Sequence, residues 1–326
     1  MMETRGLETD SEVSKMQDHR FSRRDALKLL GGGVAAVGFL PWSGATAEMP
    51  ELITEEIPSS GEELPVIGMG TWQTFNVGTD RKLRNERTEV LKAFFANGGR
   101  IVDSSPMYGS SQDVLGYALD KLGMPKALFS ADKVWTRDGD ATREQVERSA
   151  EKWRIDEFDL MQVHNLLSWK EHLETLHEMK EAGEIRYVGI TTSHGRRHGE
   201  FARVMKNHEL DFVQLTYNMI DREVERRLLP LAAERDIAVI ANRPFRGGSL
   251  VDRFQGRHPL PDWAANFDCR NWPQFLLKFI VSHPAVTCAI PATTRVEHMR
   301  ENMGAARGRL PDEATRKRML EYVDSL

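Results

Sequence analysis

Residues 158–191 read FDLMQVHNLLSWKEHLETLHEMKEAGEIRYVGIT, and their pattern decides the fold. A short apolar run over 158–164 is followed by an amphipathic stretch over 171–182 and a second short apolar run over 185–191. Short runs of that length are strands, and the longer amphipathic stretch between them is a helix, so the segment is a strand–helix–strand unit. The same alternation extends in both directions. Further strand-like runs cover 66–72, 101–103, 127–133, 212–216, 237–241 and 286–290. Helical patterns cover 86–97 (apolar Val90, Leu91, Phe94 and Phe95), 113–122, 143–153, 225–235, 273–282 and 296–305. Alternation of this kind indicates a parallel sheet with helices packed on it. Eight strands in one domain predict an α/β fold of the (β/α)8 TIM-barrel type rather than a doubly wound sheet. No G-x-G-x-x-G follows the first strand, which also argues against a dinucleotide-binding sheet. Ahead of the first barrel strand, two extended runs flank Ser59-Ser60-Gly61-Glu62 and predict an N-terminal β-hairpin.

The first 47 residues read as an address. Ser22-Arg23-Arg24-Asp25-Ala26-Leu27-Lys28 precedes an apolar stretch over 29–40, and Ala45-Thr46-Ala47 forms an A-x-A cleavage pattern. This order is that of a signal peptide, and the paired arginines are of the twin-arginine type, read by export machinery rather than used as an anchor. The expectation is an exported, periplasmic protein cleaved near Ala47, with residues 48–326 forming the barrel. The chain has 326 residues, 40% hydrophobic and 29% charged, with a formal net charge of −5. That balance excludes disordered and collagen-like classes and gives no basic surface for nucleic acid. No apolar run reaches the ~18 residues that a membrane anchor requires. Cys269 and Cys288 are too few for a disulfide framework and match no zinc spacing, so they read as small buried hydrophobes. His194 and His198 lack the intervening Glu of a zinc-protease helix and read as a solvated helix start.

In such barrels the chemistry sits where strands end and the following loops begin. Three adjacent predicted strands end in Asp103, Lys133 and His164, and Tyr108 lies on the loop after the first of them. A strand-end Asp is commonly a helix cap and a strand-end Lys commonly solvated, so no single one decides; their coincidence points to a site. These residues, with Asp103-Ser104-Ser105-Pro106-Met107-Tyr108-Gly109 read as D-x-A-x-x-Y-G carrying Ser where Ala is commoner, resemble the aldo-keto reductase superfamily. The likeness runs from Leu64 to Asn302. It implies NAD(P)(H)-dependent reduction of an aldehyde or ketone carbonyl, or oxidation of the alcohol. Tyr108 would be the general acid, since the alkoxide left by hydride addition needs a proton. Lys133 would lower the phenol's pKa, Asp103 would hold Lys133, and His164 would donate a hydrogen bond to the carbonyl. The same pocket without redox turnover, as a binding or regulatory module, is the alternative.

For the cofactor, the resemblance assigns Thr192, Ser193 and Gln214 to the nicotinamide carboxamide. Asn242 stands where a stacking aromatic is common, leaving Arg243 or Phe245 to cover the ring. Gly247 and its neighbouring arginines suit a pyrophosphate. Thr293, Thr294 and Arg295, at the start of the last barrel helix, would take a 2′-phosphate, and Glu301 and Asn302 the adenine. NADP(H) is favoured and NAD(H) is possible. Trp72, Phe75, Trp135 and Trp169 are candidates for an apolar substrate wall, and residues 252–272 for a covering segment; the resemblance implies a monomer.

Overall fold

The computed structural model describes residues 50–326, so the export signal expected over residues 1–47 lies outside the described residues. β1 (Thr54–Glu56) and β2 (Glu63–Pro65) form the expected hairpin, with Thr54 opposite Pro65. Its turn closes through Ile57 N–H donating to the Glu62 carbonyl at 2.8 Å, and Gly61 takes the positive φ of 73° that the bend requires.

Strand and helix then alternate. The first half contains β3 (Met69–Gly70), α1 (Arg81–Ala96), β4 (Ile101–Asp103), α2 (Ser111–Lys121), β5 (Phe129–Val134), α3 (Thr142–Trp153), β6 (Phe158–Val163) and α4 (Trp169–Glu181). The second half contains β7 (Ile185–Thr191), α5 (His198–Asn207), β8 (Phe212–Thr216), α6 (Leu228–Glu234), β9 (Ala238–Asn242), α7 (Ser249–Phe254), α8 (Trp272–Val281), β10 (Cys288–Ala289), α9 (Val296–Gly304) and α10 (Glu313–Asp324). β3 to β10 lie side by side in chain order, each pair parallel. Ile67 bridges Ala289 in parallel, and Gly68 N–H donates to the Ala289 carbonyl at 2.9 Å, which closes the sheet into a barrel.

Because side chains alternate along a strand, each barrel strand serves two cores. Inward residues such as Ile101, Phe129, Leu160, Tyr187, Phe212 and Ile240 fill the barrel, and Ile57 and Leu64 of the hairpin join them. Glu62 of the hairpin pairs with Arg100, the residue before β4, and with Arg186, within β7, so the hairpin plugs the N-terminal end. Outward residues such as Val102, Met161, Val188 and Val213 pack beneath the helices. Burying each of these large apolar side chains contributes roughly 1.5–3 kcal/mol.

The strand expectations over 101–103, 185–191 and 212–216 match β4, β7 and β8 residue for residue. Those over 66–72 and 286–290 shrink to the two-residue β3 and β10, since at the barrel seam only Ile67 and Ala289 bridge. The helix expected over 225–235 breaks into a 3-10 turn, Glu223–Arg226, and α6. Pro230 explains the break: its ring would clash with the carbonyl four residues earlier, so it fits only in the first turn of a new helix.

Candidate active site

The C-terminal ends of the strands surround a cavity of about 280 Å³ lined by Asp103, Tyr108, His164 and Gln214, among others. Asp103 ends β4 and Lys133 is the penultimate residue of β5, facing inward because Ala131, two positions before, is in the barrel core. Lys133 is fully buried; its Nζ donates to both Asp103 carboxylate oxygens, to Oδ1 at 2.6 Å, and to the Ser104 carbonyl at 2.7 Å. Burial alone would lower the ammonium's pKa, but the Asp103 carboxylate bonded to it outweighs that and holds it above the ordinary lysine value.

Tyr108 ends a single 3-10 turn, Pro106–Tyr108, with Pro106 fixing the first position and Ser105 capping it by accepting from Met107 N–H at 3.2 Å. The Lys133 ammonium stands 5.3 Å from the centre of the Tyr108 ring. The sequence leads one to expect that this ammonium lowers the phenol's pKa. In the structure burial outweighs it, aided by the Asp103 and Asp132 charges, and the phenol is pushed up to about 12. Lys133 limits the rise rather than reversing it, so Tyr108 is held as the protonated acid.

His164 directly follows β6, with its ring edge against Tyr108 at 5.8 Å between centroids. Burial, reinforced by the Lys133 ammonium, pushes its pKa down to about 3, so the imidazole is neutral. A neutral imidazole donates from one nitrogen only. Its Nδ1 is hydrogen-bonded to Ser105 Oγ at 2.8 Å, so the other nitrogen is the one available to the cavity.

The cofactor candidates divide into two groups. Thr192, Ser193, Gln214, Asn242, Arg243, Phe245 and Gly247 all line the same cavity. Gln214 Nε2 donates to both Asp103 oxygens at 3.2 Å, Thr192 Oγ1 to the Arg196 carbonyl at 2.6 Å, and Ser193 Oγ to Asn165 Oδ1 at 3.3 Å. Asn242 accepts from Thr216 Oγ1 at 2.7 Å and donates to the Thr192 carbonyl at 3.0 Å, tying three strand ends together where a stacked ring would stand apart. Arg243 places its guanidinium 5.8 Å from the Trp72 ring centre. Gly247 and Gly248, at φ 71° and 97°, leave open space where side chains would project.

Thr293, Thr294, Arg295, Glu301 and Asn302 do not line that cavity, whose wall in this stretch ends at Ala292. Arg295 occupies the N-cap position of α9 without a capping side-chain bond, and Thr293 Oγ1 accepts its N–H at 3.2 Å. Thr294 bonds through its carbonyl to Arg87, Glu301 through its carbonyl to Gln274, and Asn302 is buried.

Among the aromatic candidates Trp72 lines the cavity. Phe75 is instead buried in the outer core, Trp135 is 43% exposed outside the cavity lining, and Trp169 packs on His208 and donates to Glu200. The covering segment expected over 252–272 does not reach the cavity. Its aromatics turn away: Trp272 stacks on Phe254 at 4.7 Å, and Trp263 and Trp272 both pack on Tyr322 of α10.

Three residues escaped the sequence reading. Asn165 lines the cavity in a left-handed conformation, φ 54°, signalled by nothing more than an Asn after His164. Ser105 was visible only as a departure from Ala. Asp132, wholly buried, points outward from β5 and accepts from Gln112 Nε2 at 2.9 Å, Trp153 Nε1 at 2.6 Å and the Lys133 N–H at 2.7 Å.

Residues 66–317 match the model of the aldo/keto reductase family. The chain belongs to the aldo/keto reductase family. It is 30% identical over 215 residues to an aldo-keto reductase, YhdN, of Bacillus subtilis, covering 60% of this chain and 63% of that relative. It is 25% identical to an NADH-specific methylglyoxal reductase of Escherichia coli, over 80% of this chain and 95% of the relative. In fold it superimposes on an aldo/keto reductase from Klebsiella pneumoniae, solved with NADP and acetate, with a TM-score of 0.68 and 22% identity, covering 80% of this chain and 92% of that one. Members of the family are NAD(P)H-dependent oxidoreductases. The structure brings Asp103, Tyr108 and His164 to one cavity, with Lys133 bonded to Asp103 and 5.3 Å from the Tyr108 ring centre.

Proposed function

We propose that the protein reduces an aldehyde or ketone, or oxidises the corresponding alcohol, outside the cytoplasm. The observation that carries this is Tyr108 and His164 sharing one cavity beside the buried Asp103–Lys133 pair, with burial favouring the protonated phenol and the neutral imidazole. NADP(H), or alternatively NAD(H), would supply or accept the hydride. The residues present fit such a nucleotide: Gly247 and Gly248 leave their backbone open, Arg243 offers a guanidinium, and the amides of Gln214 and Asn242 stand at the cavity wall. An NADP-bound structural neighbour and an NADH-specific relative leave both nucleotides in play.

In reduction, His164 would donate a hydrogen bond to the substrate oxygen and hold it beside the phenol. Tyr108 then gives its proton to the developing alkoxide, a step that positioned acids accelerate by about 10²–10⁴-fold. The Lys133 ammonium stabilises the phenolate so formed, and Asp103 keeps that ammonium charged and in place.

The signal over residues 1–47 supports export in the folded state, with nucleotide loaded before crossing. Mass-spectrometric analysis of the exported protein, purified without added cofactor, tests this. About one nicotinamide nucleotide per chain is the result expected. An empty protein that also fails to bind added NADPH or NADH would favour the binding-module reading.

A further inference from the structure

Ser105 lies between the two groups assigned to the carbonyl oxygen. It is fully buried, and its Oγ makes two contacts among the described residues: it accepts from Met107 N–H at 3.2 Å and meets His164 Nδ1 at 2.8 Å. A hydroxyl has one proton to give and two lone pairs. With Met107 donating to one lone pair, the remaining question is where the hydroxyl proton goes. His164 Nδ1 is the only acceptor within reach among the described contacts. Were Nδ1 itself protonated, it would donate to Oγ, and the buried Ser105 proton would have no partner, which costs about 1–3 kcal/mol. The lower-cost arrangement has Ser105 donating to a bare Nδ1. Burial and the nearby ammonium keep the imidazole neutral, so its single proton is then on Nε2.

We propose that Ser105 is a positioning residue that fixes the tautomer of His164, putting the imidazole proton on Nε2 and aiming it at the substrate oxygen. The same hydroxyl caps the turn that carries Tyr108, so one side chain sets the relation between the proton donor and the hydrogen-bond donor. Its backbone takes part as well, since the Ser105 carbonyl accepts from Tyr108 N–H at 2.9 Å. An alanine here would leave His164 without a partner that distinguishes its two nitrogens. Part of this inference, the consequence for rate, rests on the carbonyl-reduction reading above; the tautomer itself does not.

The test is ¹⁵N spectroscopy of the histidine-labelled protein, with the His164 signals assigned by their loss in His164→Gln, alongside kinetics of Ser105→Ala. The expected result is a wild-type His164 held as the Nε2–H form. In Ser105→Ala the two tautomers should mix and carbonyl reduction fall about ten-fold, the scale of removing an orienting partner of a site histidine. Ser105→Thr, which keeps the hydroxyl, should restore the tautomer. An Nδ1–H form in the wild type overturns the proposal, as does a slower Ser105→Ala whose tautomer is unchanged, since the serine would then act through the turn alone. A tautomer that mixes with no loss of rate upholds the role of Ser105 and contradicts the role given to His164.

Discussion

Tyr108 and His164 show how burial can outrank a neighbouring charge. An ammonium 5.3 Å from the ring centre would be expected to acidify the phenol, yet desolvation carries it up to about 12. The imidazole is carried the other way, to about 3. Neither group therefore changes charge near neutrality. The kcat/KM of carbonyl reduction should accordingly be flat with respect to these residues from about pH 5 to 9 and decline only as pH approaches the phenol's value. Alcohol oxidation, which needs the phenolate, should rise over the same alkaline range. Initial rates across that range decide it, and a limb near the ordinary imidazole value of about 6.5 would contradict it. The identities of the four site residues were legible in the sequence because each falls at a strand end or on the next loop. Their protonation was not, because it depends on how much of each side chain the completed barrel seals from water. Ser105 was illegible for a related reason: its partner is His164, on a different strand, and only the closed sheet brings them together.

β5 carries polar residues on both faces. Lys133 points inward to Asp103, and Asp132 points outward, where β5 meets α2 and α3. Gln112 Nε2 donates to Asp132 and also to Ser149 Oγ, so the carboxyl joins the helix after the Tyr108 turn to the strand of Lys133. Burial pushes the Asp132 carboxyl up to about 6, although Gln112 and Lys133 pull it down. A folded-state pKa above the unfolded value of 3.8 contributes stability that is complete below about pH 4 and is lost as pH rises through about 6. The loss is on the order of 2–3 kcal/mol. Urea midpoints of the wild type and Asp132→Asn should therefore converge, or cross in favour of the variant, between about pH 4 and 7. Parallel pH profiles would show that the carboxyl carries no such linkage. At this scale the sequence revealed most of the strands, whose apolar runs are short and sharply bounded. It missed the break before α6, where Pro230 overrides an otherwise helical pattern, and it could not show that Trp263 and Trp272 turn toward α10 instead of the cavity.

Across the whole molecule, the hairpin plugs one end of the barrel and leaves the other for chemistry, so a single cavity holds Asp103, Tyr108, His164 and most of the cofactor candidates. The exceptions, from Thr293 to Asn302, sit beyond Ala292 on the approach to α9 and along it. The alternation of strand and helix made the barrel legible from one strand–helix–strand unit outward, whereas closure depends on the Ile67–Ala289 bridge, a pairing between distant segments that no local pattern records. The central claim is that this cavity transfers a hydride and that Tyr108 supplies the proton. It is tested most directly by following nicotinamide absorbance with NADPH or NADH and a panel of aldehydes and ketones, comparing the wild type with Tyr108→Phe. The account predicts nucleotide oxidation that depends on the carbonyl in the wild type, and a kcat lower by about 10²-fold or more in the variant, with nucleotide affinity unchanged. A Tyr108→Phe enzyme that turns over at the wild-type rate would contradict it.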